Sequence, residues 1–266
     1  MKKVAPEDYA FGIGKVRALE RFLLTEEALQ HAQDADLSGA LQLFAESELY
    51  ADEFLHVNDS VKLEDLLSQE SRQLQDMISR LILDKPLREF LDLTDLGRLQ
   101  RIAKDYKSQF LVDYLNFVID MHNIKTFLRL YVIKEPEDRL QTFIRHEGFI
   151  PKKYFIHFYA QDIAFFLTRL EYVHAHSKIL DYSLFLREGI EKTVKEGQFI
   201  TLEKQINDFL VKALKPAKYF TFGPEPLLAY YFAKVNEINL IRMIILAKLN
   251  NVSGDLVKER LNTVYG

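Results

Sequence analysis

The chain has 266 residues, 48% apolar and 28% charged, the composition of an ordinary folded body and not of a disordered one. With 10 Gly and 7 Pro it is poor in turn formers, and with no Cys it excludes disulfide frameworks, thiolate-held zinc or iron–sulfur centres and a cysteine nucleophile. The net charge of −4 is unevenly laid out: residues 1–95 carry 10 Lys and Arg against 20 Asp and Glu, and residues 96–266 carry 25 against 19. An acidic first third beside a mildly basic remainder is read first as acidic residues coating solvated helix faces and second as two faces that meet different partners. The basic residues are scattered and form no Lys/Arg run with interleaved aromatics, so nucleic acid is not expected as a partner. No apolar run reaches the ~20 residues a membrane span needs; the nearest, 238–249, is interrupted by Arg242 and Lys248. The basic pair Lys2-Lys3 is followed by no apolar stretch, so no signal peptide is expected. The lack of Cys fits a reducing, cytoplasmic setting.

In chain order, the pattern predicts helix almost throughout. Thr25-Glu26-Glu27-Ala28 is a helix start, with Thr as cap and carboxylates in the first turn. A short helix follows over Leu37–Leu49. Val61–Leu83 carries Leu63, Leu66, Leu67, Leu74, Met77, Ile78, Leu81 and Ile82, a 3-4 spacing that makes a long amphipathic helix. Asp84-Lys85-Pro86 ends it, because Pro disfavours helical geometry in the residue before it. Thr94-Asp95 opens the next helix, and Gln109–Val132 reads as one long apolar helix. Only Gly148–Phe158 has strand-like content, and it is too short to build a sheet. Ala160–Leu180 and Ile190–Leu214 read as helices. Gly223-Pro224-Glu225-Pro226 starts a helix running to about Asn250, Ser253-Gly254-Asp255 is a turn or cap, and Asp255–Val264 is the last helix. The class is all-α, in a solenoid or multi-bundle arrangement.

Within the apolar helices a motif recurs. Asn123-x5-Arg129 and Asn236-x5-Arg242 are alike, a weaker copy surrounds Arg17, and the three arginines fall at intervals of roughly 110 residues. A chain of this length leaves at least one such unit trimmed. Asn116, Asp120 and Asn123 share one face of their helix, and Asn239 and Arg242 pair at i, i+3 on another. Buried polar residues must find partners, so these lines are read first as packing locks and second as an ion or substrate site. Arg242 and Arg129, set among Leu and Ile, are expected to be largely buried and hydrogen-bonded.

Catalytic templates are missing. Gly12-Ile13-Gly14-Lys15 lacks the full phosphate-loop spacing and a preceding strand. His174 and His176, two apart on an expected helix, point to different sides and chelate poorly. A metal hydrolase built on His157, His174 and Asp162 is the weakest of three functional readings; a free-standing α-helical repeat adaptor is a stronger one. No catalytic, cofactor or metal site is expected.

The first reading comes from Tyr219-Phe220-Thr221-Phe222-Gly223-Pro224-Glu225-Pro226-Leu227-Leu228-Ala229-Tyr230-Tyr231-Phe232-Ala233-Lys234-Val235-Asn236-Glu237-Ile238-Asn239-Leu240-Ile241-Arg242. This run resembles the C-terminal signature of the C-type stalk subunit of archaeal and bacterial V/A-type rotary ATPases, whose eukaryotic counterpart is the d-type subunit. Tyr9–Leu24, with Arg17, resembles the family's N-terminal helix, and Asp120–Arg129, with Asn123, its middle signature. The resemblance implies three similar helical subdomains in a pseudo-threefold, funnel-like arrangement, with approximate limits 1–85, 86–184 and 185–266. It implies a non-catalytic central-stalk subunit, a socket coupling the D- and F-type shaft subunits of the soluble head to the membrane proteolipid ring for proton or sodium transport. Such a chain lies on the cytoplasmic side and contacts the membrane only through its partners. The residues carrying the family pattern are Arg17, Asp120, Asn123, Arg129, Glu225, Pro226, Tyr230, Lys234, Glu237 and Arg242.

Overall fold

The structure is a computed structural model that describes residues 4–46, 52–176 and 178–266. The chain divides into two compact units, one formed by the residues up to Asp92 together with Val211–Gly266, the other by Leu93–Leu210. Helix dominates both, as the apolar spacing predicts, and among the described residues no helix is long and apolar enough to cross a membrane.

The first unit begins with α1 (Ala10–Leu19), α2 (Glu26–Asp34), α3 (Leu37–Ala45) and α4 (Ser60–Leu81). The Thr25 hydroxyl accepts the Ala28 amide at the start of α2, and Asp36 and Asp59 do the same for Gly39 and Lys62, so each start carries the cap its sequence offers. Leu49, expected at the end of α3, lies outside the described residues. Leu63, Leu67, Leu74 and Ile78 form the buried stripe of α4.

The second unit holds α5 (Leu96–Tyr106), α6 (Gln109–Val132), α7 (Glu137–Phe143), α8 (Lys152–Tyr159) and α9 (Ile163–Leu170). An antiparallel pair follows, β1 (Val173–Ala175) and β2 (Lys178–Leu180), with Val173 opposite Leu180 and Ala175 opposite Lys178. Then come α10 (Ser183–Glu196) and α11 (Ile200–Leu214), the latter running past the unit's boundary. Its core gathers Met121, Ile124, Phe127 and Leu128 of α6 against Phe155, Phe166, Leu170, Leu186 and Ile190. The Phe127 and Phe166 rings stack at 4.3 Å. Burying each such side chain contributes about 1.5–3 kcal/mol.

The chain returns to the first unit for α12 (Glu225–Leu249) and α13 (Gly254–Lys258). α12 is buried nearly all round, through Leu227, Leu228, Ala229, Tyr230, Ile238, Leu240, Ile241 and Ile245, and packs against α4, α1 and α3. A helix buried over most of its circumference is the centre of its unit.

Four expectations are corrected. Gly148–Phe158, strand-like in content but too short for a sheet, holds the start of α8 at Lys152 with Pro151 as its cap residue; its aromatic content imitates a strand, but the Pro is a helix-start signal. The helix expected over Ala160–Leu180 stops at Leu170 and gives way to the hairpin, because a stretch as short as Val173–Ala175 is too brief to show either period. Ile190–Leu214 is two helices. Gly197, at φ 71°, takes the left-handed position that ends α10, and its amide bonds to the Thr193 carbonyl at 2.9 Å. The last helix ends at Lys258, and Leu261, Val264 and Tyr265 are buried as irregular chain.

Candidate functional site

The polar residues singled out by sequence fall on α1, α6 and α12. In the second unit, α6 presents Asn116, Asp120 and Asn123 to the chain between α7 and α8. Asn116 Oδ1 accepts from Gln100 at 3.0 Å, and Asn123 Nδ2 donates to the His146 carbonyl at 2.9 Å. Asp120 is fully buried and accepts three hydrogen bonds, from the Phe149 amide at 3.0 Å, the Ile150 amide at 3.1 Å and the Tyr182 hydroxyl at 2.9 Å. All three donors are neutral. Burial therefore outweighs them and pushes the carboxyl up to about 7. Gly148 lets the chain come this close, since a Cβ there would stand 2.4 Å from the Asn116 carbonyl oxygen and from Asp120 Oδ1.

Arg129 does not join this line. It sits nine residues past Asp120, roughly 180° round the helix, and its side chain is 56% exposed, 3.3 Å from Glu203 and over the Phe199 ring. The expected burial of Arg129 is thus corrected: the helical turn carries it to solvent.

In the first unit the polar line of α12 begins at its start. Glu225 and Pro226 are buried in the first turn, and Gly223, at φ 96°, bonds through its amide to the Pro6 carbonyl at 3.1 Å. One turn on lies Tyr230, fully buried, whose hydroxyl bonds to no protein group among the described residues. Lys234 and Glu237 are both buried and joined as an ion pair. Glu237 Oε2 also accepts the Leu24 amide at 2.5 Å, tying α12 to the chain that follows α1. Burial lowers the Lys234 pKa, and Glu237 and then Glu70 act against that. Arg17 braces α1, with 2.8 Å bonds to Glu20 and to the Ala217 and Lys218 carbonyls.

Arg242 finds the partners expected, Glu64 at 3.0 and 3.1 Å and Asn239 at 2.6 Å, and it was expected to be largely buried, but 28% of its side chain remains exposed. Five residues past Glu237, it stands roughly 140° from that buried face, and its long side chain reaches water while its stem lies along α12.

The remaining candidates are local. Gly12-Ile13-Gly14-Lys15 lies inside α1. Asp162 caps α9 through the Ala164 amide, His157 bonds to Gln161, and His174 belongs to β1. Among the described residues no group of three or more His, Asp or Glu is placed to hold a metal ion. Sequence reading missed Tyr182, Gly148, the Leu24 amide and Glu64; only Gly148, a glycine ahead of Phe149-Ile150-Pro151, carried a local signal.

The fold and its polar lines define a helical scaffold, with one small hairpin, whose motif residues bond chiefly to other parts of the chain. Comparison with known proteins gives the class a family. The ATP synthase (C/AC39) subunit family matches residues 85–260, a range that includes every singled-out motif residue but Arg17. The chain is similar to the C-type subunit of the V-type sodium ATPase of Enterococcus hirae, 25% identical over 272 residues that cover 100% of this chain and 78% of the relative. The chain belongs to the ATP synthase (C/AC39) subunit family, the same V-type ATPase family that its C-terminal run resembles.

Proposed function

We propose that this chain is the non-catalytic socket of a V/A-type rotary ATPase, joining the D- and F-type shaft subunits of the ATP-hydrolysing head to the proteolipid ring. Family membership over residues 85–260 carries the reading. The internal use of the motif residues supports it: Asp120, Asn123, Glu237 and Arg17 spend their bonds on holding helices together. Torque transfer calls for a stiff body, which densely packed helices supply. Three subdomains about a pseudo-threefold axis and a cytoplasmic position peripheral to the membrane belong to the same proposal, as does transport of protons or sodium by the assembled motor.

The test is a reconstituted motor assembled with and without this chain, with ATP hydrolysis and ion uptake measured separately. Without it, hydrolysis by the head persists and ATP-driven uptake is lost. Full pumping in its absence refutes the coupling role.

A further inference from the structure

We propose that the cleft between α4 and α12 is a binding site for an alkylammonium group, a single cationic nitrogen on a short aliphatic stem, as carried by a free primary amine or by a lysine side chain. The cleft has a volume of about 200 Å³, room for about six waters at ~30 Å³ each. Its walls are apolar on both sides, Leu74 and Met77 from α4 and Ile238 from α12. Its polar groups are Glu70, Gln73, Tyr230 and Lys234.

Two observations point to a ligand. The Tyr230 hydroxyl is buried with no hydrogen-bond partner among the described residues, and such groups in folded chains call for one. The charges also do not balance. Lys234 is matched by direct contact with Glu237, which leaves Glu70 with no hydrogen bond or ion pair among the described residues. Burial raises the Glu70 pKa; Lys234 pulls it down and nearby Glu53 pushes it further up. The cleft thus holds one carboxylate more than it neutralises, with a second carboxylate close by.

That balance selects the ligand. An anion meets Glu70 and Glu53. A bare metal ion needs a shell of oxygen ligands, and the cleft offers one carboxylate beside an ammonium. A primary alkylammonium has three N–H donors, and the cleft has three oxygen-bearing groups for them, Glu70, Gln73 and Tyr230. Leu74, Met77 and Ile238 suit the stem, because long cationic side chains lay their methylenes on apolar surface. The acidic 1–95 region, which includes α4, attracts the cation from a distance. The inference is independent of the motor role.

Four methionines, Met1, Met77, Met121 and Met243, give four methyl signals in the full chain, and only Met77 lines the cleft. The protein, labelled at the methionine methyls, is titrated at low salt and neutral pH with n-butylammonium, n-butanol, ammonium and Nα-acetyl-lysine methylamide. n-Butylammonium is expected to shift the Met77 signal saturably in the millimolar range. n-Butanol, which lacks the charge, and ammonium, which lacks the stem, bind far more weakly. Glu70→Gln weakens n-butylammonium tenfold or more, about the loss of a charge-assisted hydrogen bond. Tyr230→Phe keeps the ring in place and weakens it about fivefold, with thermal melts of both variants confirming an intact fold. Binding also tightens as pH rises through the Glu70 pKa. If the lysine derivative binds like n-butylammonium, the site admits a side chain of another polypeptide; if n-butylammonium alone binds, it takes a free amine. No saturable shift up to tens of millimolar, an equal response to n-butanol, or a Glu70→Gln protein that binds as the wild type does overturns the proposal.

Discussion

α12 and α6 face the same physical problem and solve it differently. Each is the long apolar helix at the heart of its own unit, and each buries polar side chains where water is absent. α12 matches charge with charge, Lys234 against Glu237, and adds the Leu24 amide as a further donor to the carboxylate. α6 buries a carboxylate with no cation, and surrounds Asp120 with two amides and a phenol. A charge pair keeps both groups ionised, but losing either partner strands the other. A carboxylate held by neutral donors is cheapest to bury as the acid, so its stability is tied to pH.

The largest effect separating the two solutions is expected at α12. Lys234→Met leaves Glu237 buried without its cation and costs about 3–5 kcal/mol in urea unfolding. Lys234→Met with Glu237→Gln is expected to recover most of that. If the double variant is no more stable than the single one, the ion pair is not what distinguishes α12.

Second in size is the pH dependence of the α6 site. Asp120 has a folded pKa of about 7, above its unfolded value. The acid form is thus favoured on folding: the contribution to stability is full below about pH 4 and is lost as pH rises through 7. Between about pH 5 and pH 8 the wild type should lose roughly 2–3 kcal/mol relative to Asp120→Asn. Parallel stability–pH curves for the two proteins would put the carboxylate in a more polar setting than its three neutral donors provide.

Gly148→Ala tests how closely the chain must approach α6. Its Cβ would lie 2.4 Å from two oxygens, so we expect a loss of about 2 kcal/mol, as for other overpacked sites, together with a lower Asp120 pKa as the two amides shift and water enters. The smallest effect is at Arg242. Its partner Glu64 is 45% exposed, so Arg242→Leu should cost only about 1 kcal/mol, most of it removed by salt. A salt-independent loss of several kcal/mol would return Arg242 to the buried class that its apolar neighbours suggest.

α6 and α12 were legible in the sequence because apolar residues recur along six turns or more, on either side of their polar residues, and because Gly223-Pro224-Glu225-Pro226 marks the start of α12. That Asp120 and Asn123 lock packing was legible from their shared face; what they lock was not, because His146, Phe149, Ile150 and Tyr182 come from other stretches of chain. The hairpin escaped notice since two strands of three residues are shorter than any periodicity can resolve. Arg129 and Arg242 were misjudged for a different reason. Apolar neighbours along the chain do not make an apolar neighbourhood when the helix turns the residue away from the core. The cleft beside Tyr230 was invisible, for it depends on how α4 and α12 meet.

The first unit is stitched together across the whole chain. The Leu24 amide meets Glu237, 213 residues later, and Glu26 meets Thr263, 237 residues later. During synthesis, α1 to α4 leave the ribosome long before α12 exists, while every residue of the second unit is continuous and emerges in one stretch. The stripe of Leu63, Leu67, Leu74 and Ile78 therefore waits uncovered through the translation of everything between. Contacts this distant in sequence form late, and apolar surface exposed in the interval is where chains aggregate. A ribosome stalled within the second unit would thus release a chain whose α4 lacks the α12 partner it packs against.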